Sequence, residues 1–175
     1  MHGFEIHRAT AEEIDRAHAL VEEYFQAASV VLRESREDFE RAYFAGNAGL
    51  WLATCNGALA GCIALREIRL RGTVLGEIKR MYVRPAHRGQ GLGDALLHAL
   101  EDFAVQHGYG ELVLDTTDEM AAAARLYERN GYHRRERYNQ NPQATIFMGK
   151  KINRFEHSAA GVTAQGVEKL DASGA

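Results

Sequence analysis

The chain has 175 residues, a formal charge of −3 and a hydrophobic share of 46%, values that describe one globular domain with a sizeable core. This weak negative charge excludes the global basic field that would attract nucleic acid or an anionic membrane. The sequence contains no apolar run near the roughly 20 residues that span a bilayer, and its start lacks the plan of a secretion signal. We therefore expect a cytoplasmic protein without a nucleic-acid or membrane partner.

The first part of the chain predicts a strand followed by two helices. Residues 4–8 alternate between apolar and polar side chains, as a half-buried strand does. Thr10 is placed to cap the first helix, with Glu13 three residues later completing a capping box. Residues 29–45 suggest a second helix with a polar face, after a break whose position the sequence leaves open.

A hairpin is expected next. Strands at 50–54 and 58–65 flank an Asn-Gly pair, which is a strong signal for a type I′ turn. With that turn, Cys62 would lie opposite Trp51 and would not face Cys55, so no disulfide is expected. The eight histidines show no compact ligand spacing and only two cysteines are present, so no metal is expected either.

The middle of the chain predicts a strand, a glycine loop, a helix and a second strand in succession. Glu77–Val83 reads as a strand, and Pro85 ends it because proline has no N–H for a ladder. The loop 88–93, RGQGLG, follows, and a helix with one apolar stripe begins inside it. A second strand follows at 111–115. A helical crossover joins parallel strands, so we expect these two strands to be parallel neighbours.

A glycine-rich turn that opens a helix is typical of an anion-binding site. Free N–H groups and the positive end of the helix dipole converge there, and glycine lets a ligand approach the backbone. The alternative is a glycine-rich connection between packed elements that binds nothing. The spacing of the glycines excludes the dinucleotide fingerprint, and the missing Gly-Lys-Ser/Thr ending excludes the nucleotide P-loop.

The last part of the chain predicts a helix, two strands and a tail. Residues 121–130 are helical in pattern, and Gly131 ends the helix. The last two strands are predicted at 132–138 and 145–152. Residues 153–175 are small and polar without periodicity, so we expect a flexible C-terminal tail without function.

Two motifs resemble one known family. Arg88-x-x-Gly91-x-Gly93, after an ending strand, resembles the coenzyme A loop of the GCN5-related N-acetyltransferases, the GNAT superfamily. Residues 124–132, ARLYERNGY, resemble the later helix of that family and the strand after it. Each motif alone is weak, but the two occur in the family's order and spacing, and the likeness extends over most of residues 4–152.

The resemblance implies an α+β fold, with a central mixed sheet of six or seven strands and helices on both faces. The parallel strands at 77–83 and 111–115 would splay apart at one end. Residues 1–152 would form an N-acetyltransferase domain with acetyl-CoA as cosubstrate and no metal. The acetyl group would pass directly to a primary amine of a small molecule or an amino acid.

Other functions compatible with the same resemblance stay open. The chain would alternatively be a protein lysine or N-terminal acetyltransferase, or a non-catalytic sensor that binds acyl-CoA. The charges of Lys79, Arg80 and Arg134-Arg135 weakly favour an acceptor that carries a carboxylate. The oligomeric state also stays open, with a homodimer among the options.

The family likeness also implies where the coenzyme binds. The backbone of Met81, Tyr82 and Val83 would pair with the pantetheine arm as a partner strand does. Charges from Arg84, His87 and Arg88 would surround the pyrophosphate. Its backbone donors would come from the loop residues Gly89, Gln90, Gly91, Leu92, Gly93 and Asp94.

Acetyl transfer needs a base, because a primary amine with a pKa of about 10 is protonated at neutral pH and cannot attack. Members of the family often carry a glutamate on the central strand, and Glu77 is therefore the candidate base. The alternative is that Glu77 only forms an ion pair with Lys79 or Arg80. Asp115 is a weaker candidate, and Glu34 is weaker still.

Tyr127 is the candidate acid. It matches the family position of a tyrosine near the sulfur of the coenzyme, and a phenol is protonated at neutral pH and can donate. The alternative is that this tyrosine only packs its helix against the sheet.

Overall fold

The computed structural model describes residues 3–29 and 34–152, and residues 1–2, 30–33 and 153–175 lie outside the described residues. The predicted C-terminal tail is therefore in the part that is not described. Within the described ranges, no helix is long and apolar enough to cross a membrane.

The described residues form one mixed sheet of seven strands, which confirms the predicted α+β architecture. The strands run in the order β1-β2-β3-β4-β5-β7-β6, and neighbours are antiparallel except β4 and β5. They are β1 (Phe4–Arg8), β2 (Gly49–Cys55), β3 (Ala58–Leu70), β4 (Thr73–Val83), β5 (Glu111–Thr116), β6 (His133–Arg134) and β7 (Ile146–Lys151).

Helices cover both faces of this sheet, as predicted. Side chains alternate along β2, so Leu50 and Leu52 join one hydrophobic cluster while Trp51 and Ala53 join the other. The first cluster is built with α1 and α2, and the second with α3 and α4. The helices are α1 (Ile14–Ala27), α2 (Arg36–Tyr43), α3 (Leu92–Gln106) and α4 (Ala121–Arg129).

Several local signals form as the sequence predicts. The Glu13 carboxylate accepts the Thr10 N–H at 3.0 Å, which is one half of a capping box. Asn56 and Gly57 have φ of 51° and 78°, as a type I′ turn requires. The predicted second helix, α2, begins after Ser35, whose hydroxyl accepts the N–H of Asp38 at 3.1 Å.

Two predicted details are wrong. A bulge after Ala53 shifts the pairing of β2 with β3, so Cys62 lies opposite Leu52 and not Trp51. The strand predicted at 132–138 is only two residues long, β6. Tyr138 turns inward instead, and its hydroxyl donates a hydrogen bond to a buried carboxylate on β4.

The predicted parallel strands are neighbours, and they separate as predicted. Strands β4 and β5 pair only at Gly76 with Leu112 and at Glu77 with Val113. Beyond Glu77, the edge of β4 that faces β5 has no strand partner within the described residues. This opening between the two strands is called the gap.

Strand β4 also contains a bulge beside the gap. Its pairing with β3 passes from Lys79 opposite Ala64 to Tyr82 opposite Cys62, so β4 advances by three residues while β3 advances by two. Arg80 has φ of +57°, a left-handed conformation that residues other than glycine rarely adopt. The bulge places Lys79 and Arg80, although consecutive, on the same face of the sheet, the face covered by α1 and α2.

Candidate active site

The predicted anion loop ends at the N-terminus of α3, a helix of fifteen residues. The N–H of Ala95 donates to the Gly91 carbonyl at 3.1 Å and makes the first bond of the helix. The N–H groups of Leu92, Gly93 and Asp94 therefore have no acceptor inside the helix. Together with the helix dipole, these donors favour an anion at this end of α3.

The loop glycines serve two different purposes. Gly89 and Gly91 have φ of +72° and +79°, and a Cβ built on either would meet nothing within 4 Å. These two positions combine a left-handed backbone with open space in front of it. Gly93 has an ordinary helical backbone, but a Cβ there would lie 3.2 Å from Leu126 of α4. Gly93 therefore lets α4 pack closely against α3.

The basic side chains near the loop are only partly available to a ligand. Arg88 is exposed, and its Nε donates to the carbonyl of Val83 at 2.9 Å. Arg84, in contrast, is bound by Glu23 of α1, with Nη2 2.7 Å from a carboxylate oxygen. Arg84 thus joins α1 to the end of β4, whereas Arg88 remains the cation beside the loop.

The acidic side chain in the first turn of α3 is neutralised by Arg129 of α4. Asp94 binds Arg129 through two hydrogen bonds of 2.6 and 3.0 Å and accepts a third from Asn130 at 2.8 Å. The guanidinium of Arg129 lowers the pKa of this carboxyl. The α4 partners therefore offset the negative charge that Asp94 brings to the anion site.

Glu77 lies where β4 and β5 begin to separate, and its carboxylate is fully engaged. The side chain is 1% exposed. Arg66 of β3 donates to Oε2 at 2.6 Å, and Tyr138 donates to Oε1 at 2.9 Å. Lys79 lies 3.2 Å and Asn139 3.4 Å from the same Oε1. The ion pair between Glu77 and Lys79, which the sequence analysis gave as an alternative to catalysis, is thus observed. Arg80 pairs with Glu34 at 3.1 Å and not with Glu77.

Asp115, the weaker candidate base, lies across the gap on β5 and belongs to the same network. Lys79 donates to Oδ1 at 2.7 Å, and two amides donate to Oδ2, Asn139 at 2.8 Å and Asn141 at 3.0 Å. Burial raises the pKa of this carboxyl, but the charge of Lys79 and the hydrogen bonds outweigh burial, and the net pKa is lowered. Arg66, Glu77, Lys79 and Asp115 are called the charge network.

Tyr127 lies on α4 with its ring almost fully buried, at 4% exposed, and packs edge to face against Tyr132 with centroids 5.4 Å apart. Its hydroxyl has no hydrogen-bond partner among the residues that the structure describes. Burial, with smaller contributions from Tyr24 and Asp115, raises its pKa. A phenol in this environment keeps its proton at neutral pH.

The structure therefore brings Glu77 and Asp115 together at the gap, and Met81, Tyr82 and Val83 follow along the unpaired edge of β4. The sequence analysis missed four residues that donate hydrogen bonds to Glu77 or Asp115: Arg66, Tyr138, Asn139 and Asn141. The polar run of residues 139–142 was the available signal, but it reads as an ordinary turn until the fold brings it to the gap.

No group of three or more His, Cys, Asp or Glu side chains in the described part of the chain is arranged to hold a metal ion. An open groove of about 760 Å³ runs along β6 and β7, and its lining includes Arg134 and Arg135 but none of the residues predicted to bind the coenzyme or to transfer a proton.

Comparisons with known proteins agree with these observations. The family model described as the acetyltransferase (GNAT) family matches residues 14–132. An uncharacterized N-acetyltransferase of Schizosaccharomyces pombe is 33% identical over 137 residues, which cover 75% of this chain and 83% of that protein. The human N-acetylaspartate synthetase is 39% identical over 82 residues, which cover 47% of this chain and 26% of the synthetase. Other curated relatives are also longer, and the match spans 49% and 58% of two of them.

Solved structures share the fold. A GNAT-family acetyltransferase of Staphylococcus aureus has a TM-score of 0.73 at 19% identity, over 85% of this chain and 99% of that one. The PaiA N-acetyltransferase of Thermoplasma acidophilum, solved in complex with coenzyme A, has a TM-score of 0.66 at 19% identity, over 86% and 99%.

The charge network yields a first prediction. Lys79→Met should lower the free energy of unfolding by about 3–5 kcal/mol at neutral pH, because Glu77 and Asp115 lose the cation they share. In the wild type the lowered pKa of Asp115 contributes stability above its unfolded pKa, and this is lost as the pH falls through the folded pKa. In the variant Asp115 protonates more readily. The difference in free energy of unfolding between the wild type and Lys79→Met should therefore become smaller as the pH falls toward about 4.

Urea unfolding at neutral pH and at about pH 4 measures both values. Lys151→Met is the matched control, since Lys151 is an exposed lysine on β7 and should change stability by no more than about 0.5 kcal/mol. A Lys79→Met deficit that is the same at both pH values would contradict the assigned role of the network.

Proposed function

This chain belongs to the GNAT family of acetyltransferases, and we propose that it moves an acetyl group from acetyl-CoA directly to a primary amine of a small molecule or an amino acid. The observation that carries the proposal is the gap. Two parallel strands separate beside buried carboxylates, and an anion-favouring helix N-terminus follows the end of β4. We assign this activity to residues 1–152.

The residues present fit acetyl-CoA. The open space at Gly89 and Gly91, the free N–H groups of α3 and the cation of Arg88 suit its pyrophosphate. Within the described part of the chain, the edge of β4 along Met81, Tyr82 and Val83 has no strand partner, and it suits the amide groups of a pantetheine arm. When bound, acetyl-CoA supplies an acetyl thioester that an amine can attack.

The amine acceptor must lose a proton before it attacks, and Glu77 is our proposed base. Four donors surround its carboxylate, so Glu77 must release one of them to accept a proton, either directly or through a water. The Asn139 contact, at 3.4 Å, is the weakest of the four. Asp115 is held by Lys79 and two amides, and these contacts lower its pKa, which weakens it as a base.

Tyr127 is our proposed acid, and it would donate its hydroxyl proton to the thiolate sulfur that leaves. Its raised pKa keeps the proton on the phenol at neutral pH, so the hydroxyl is a donor when the thiolate forms beside it. A hydroxyl that has no partner among residues 3–29 and 34–152 is available to bind a ligand. The name of the human relative, N-acetylaspartate synthetase, supports a small amino acid as the kind of acceptor.

Binding of acetyl-CoA can be tested at the loop. Gly91→Leu should abolish binding in calorimetry, because the new side chain would occupy the space proposed for the pyrophosphate. Gly108→Leu is the matched control, since Gly108 has the same φ of +79° and the same open surroundings beyond the other end of α3. Both variants carry a similar left-handed strain of about 1–2 kcal/mol, but only Gly91→Leu should lose binding. Wild-type affinity in Gly91→Leu would contradict the proposed site.

The base can be tested by the pH dependence of the rate. Glu77→Gln should lower kcat by about 10²- to 10⁴-fold at neutral pH, and raising the pH should restore part of the rate as more acceptor arrives neutral. Asp115→Asn is the companion variant and should keep the wild-type shape of the pH–rate profile. If Glu77→Gln has that shape instead, the base is Asp115 or an ordered water.

The acid can be tested by removing one oxygen atom. Tyr127→Phe should lower kcat and leave the Kd for acetyl-CoA close to normal, because only a hydroxyl is lost. Tyr132→Phe is the control from the neighbouring ring, whose hydroxyl donates to Glu101 at 2.8 Å, so it should lower stability and leave kcat unchanged. Full activity in Tyr127→Phe would mean that the thiolate leaves without a proton donor.

A further inference from the structure

Arg80, the bulge residue of β4, has more hydrogen-bond donors than the described residues satisfy. Its side chain is only 10% exposed, and its guanidinium lies 4.7 Å from the ring centroid of Phe25. Nη2 donates to Glu34 at 3.1 Å. Nε is buried and has no acceptor among the residues that the structure describes.

Tyr43 of α2 presents a second donor of the same kind. Its ring centroid lies 5.9 Å from the Arg80 guanidinium, the residue is 1% exposed, and its buried hydroxyl also has no partner in the described ranges. Burial raises the pKa of this hydroxyl, so it carries a proton at neutral pH. Two buried donors therefore lie within one small region.

The Arg80 Nε–H and the Tyr43 hydroxyl are both donors that an oxygen acceptor would satisfy. A buried donor without a partner costs about 1–3 kcal/mol, and native proteins keep few of them. A guanidinium binds a carboxylate best through two parallel bonds, for example from Nε and one Nη. Glu34 accepts only the bond from Nη2, so Arg80 makes one of the two parallel bonds that a guanidinium can make to a carboxylate.

The charges on this face of the sheet are balanced as long as Glu34 stays in place. Three cations form ion pairs with three anions. Arg66 pairs with Glu77, Lys79 pairs with both Glu77 and Asp115, and Arg80 pairs with Glu34. If Glu34 moved into solvent, the region would keep one positive charge in excess. An incoming carboxylate would restore neutrality and would also satisfy the two unpaired donors.

On the basis of the proposed function, we propose that Arg80 and Tyr43 form the subsite that binds a carboxylate of the amine acceptor. The acceptor is then a small amine that also carries a carboxylate, as an amino acid does. Glu34 is the internal carboxylate that the acceptor displaces from Arg80. The subsite lies on the α1–α2 face of the sheet, whereas the helix proposed for the pyrophosphate, α3, packs on the opposite face.

The first test compares acceptors that differ only in the carboxylate. Thiol release from acetyl-CoA is measured with the common L-amino acids, with their α-carboxamides, and with the corresponding amines that lack the carboxyl group. The carboxylate forms should have kcat/KM at least about tenfold above their carboxamides, the effect of one charge-assisted hydrogen bond. If carboxamides or simple amines are acetylated as well or better, the subsite is refuted while acetyl transfer stands. If no amine releases thiol, the proposed function fails and the subsite fails with it.

Tyr43→Phe is the sharpest variant, because it removes one oxygen that has no partner in the described part of the protein. It should raise KM for carboxylate acceptors about tenfold, leave KM for carboxamides unchanged, and leave thermal stability equal or higher. Tyr109→Phe is the matched control. Its hydroxyl donates to the Asn47 carbonyl at 2.9 Å, so this variant should lose stability and keep both KM values.

Two more variants test the guanidinium and its internal competitor. Arg80→Lys keeps the charge but lacks the planar fork, and it should reduce the carboxylate preference to less than about half of the wild-type ratio. Glu34→Gln removes the competing charge and should lower KM for carboxylate acceptors. An unchanged carboxylate preference in Tyr43→Phe and in folded Arg80→Lys would overturn the proposal.

Discussion

The parting of β4 and β5 after two residue pairs is the constraint on which the rest of this structure depends. A sheet that opens in its interior exposes backbone groups that would otherwise form a ladder, and these groups need partners. It also opens space beside Glu77 and Asp115, whose charges would be costly without cations. Within the charge network, Arg66 and Lys79 supply the cations that Glu77 and Asp115 need. In the proposed function, a bound ligand meets the first need by pairing with the strand edge.

The network explains how two carboxylates coexist within one opening. Lys79 contacts both of them, and Arg66 adds a second cation to Glu77. The amides that complete the arrangement come from the connection between β6 and β7 and are not part of a strand. Such a connection can give up a hydrogen bond more easily than a ladder can, and the proposed proton transfer to Glu77 requires that one donor be released. The stability of the network and the proposed reactivity of Glu77 therefore depend on the same contacts.

The sequence was sufficient where the signal is local. The Asn-Gly turn, the start of α3 at the glycine loop and the crossover to β5 follow from residues that are neighbours in the chain. The bulge at Arg80 has no such signal, because lysine and arginine read equally well in a regular strand. The contact of Tyr138 with Glu77 joins residues 61 positions apart, and no periodicity records it. The short β6 was misread for this reason, since the uninterrupted polar run of residues 133–137 carries no signal for the point where the chain leaves the sheet and turns toward the gap.

The same distinction explains why the coenzyme is easier to infer than the acceptor. The proposed coenzyme contacts are mostly backbone N–H and C=O groups, whose positions are fixed by glycines and by the unpaired edge of one strand. Such a site leaves a short motif in the sequence. The proposed acceptor contacts are side chains on separate elements, Arg80 on β4 and Tyr43 on α2, with Glu34 preceding α2. Their meaning depends on a bulge that turns Arg80 toward α2, and that bulge becomes visible only when the sheet is assembled. The acceptor can therefore change with a few side chains while the coenzyme loop stays the same.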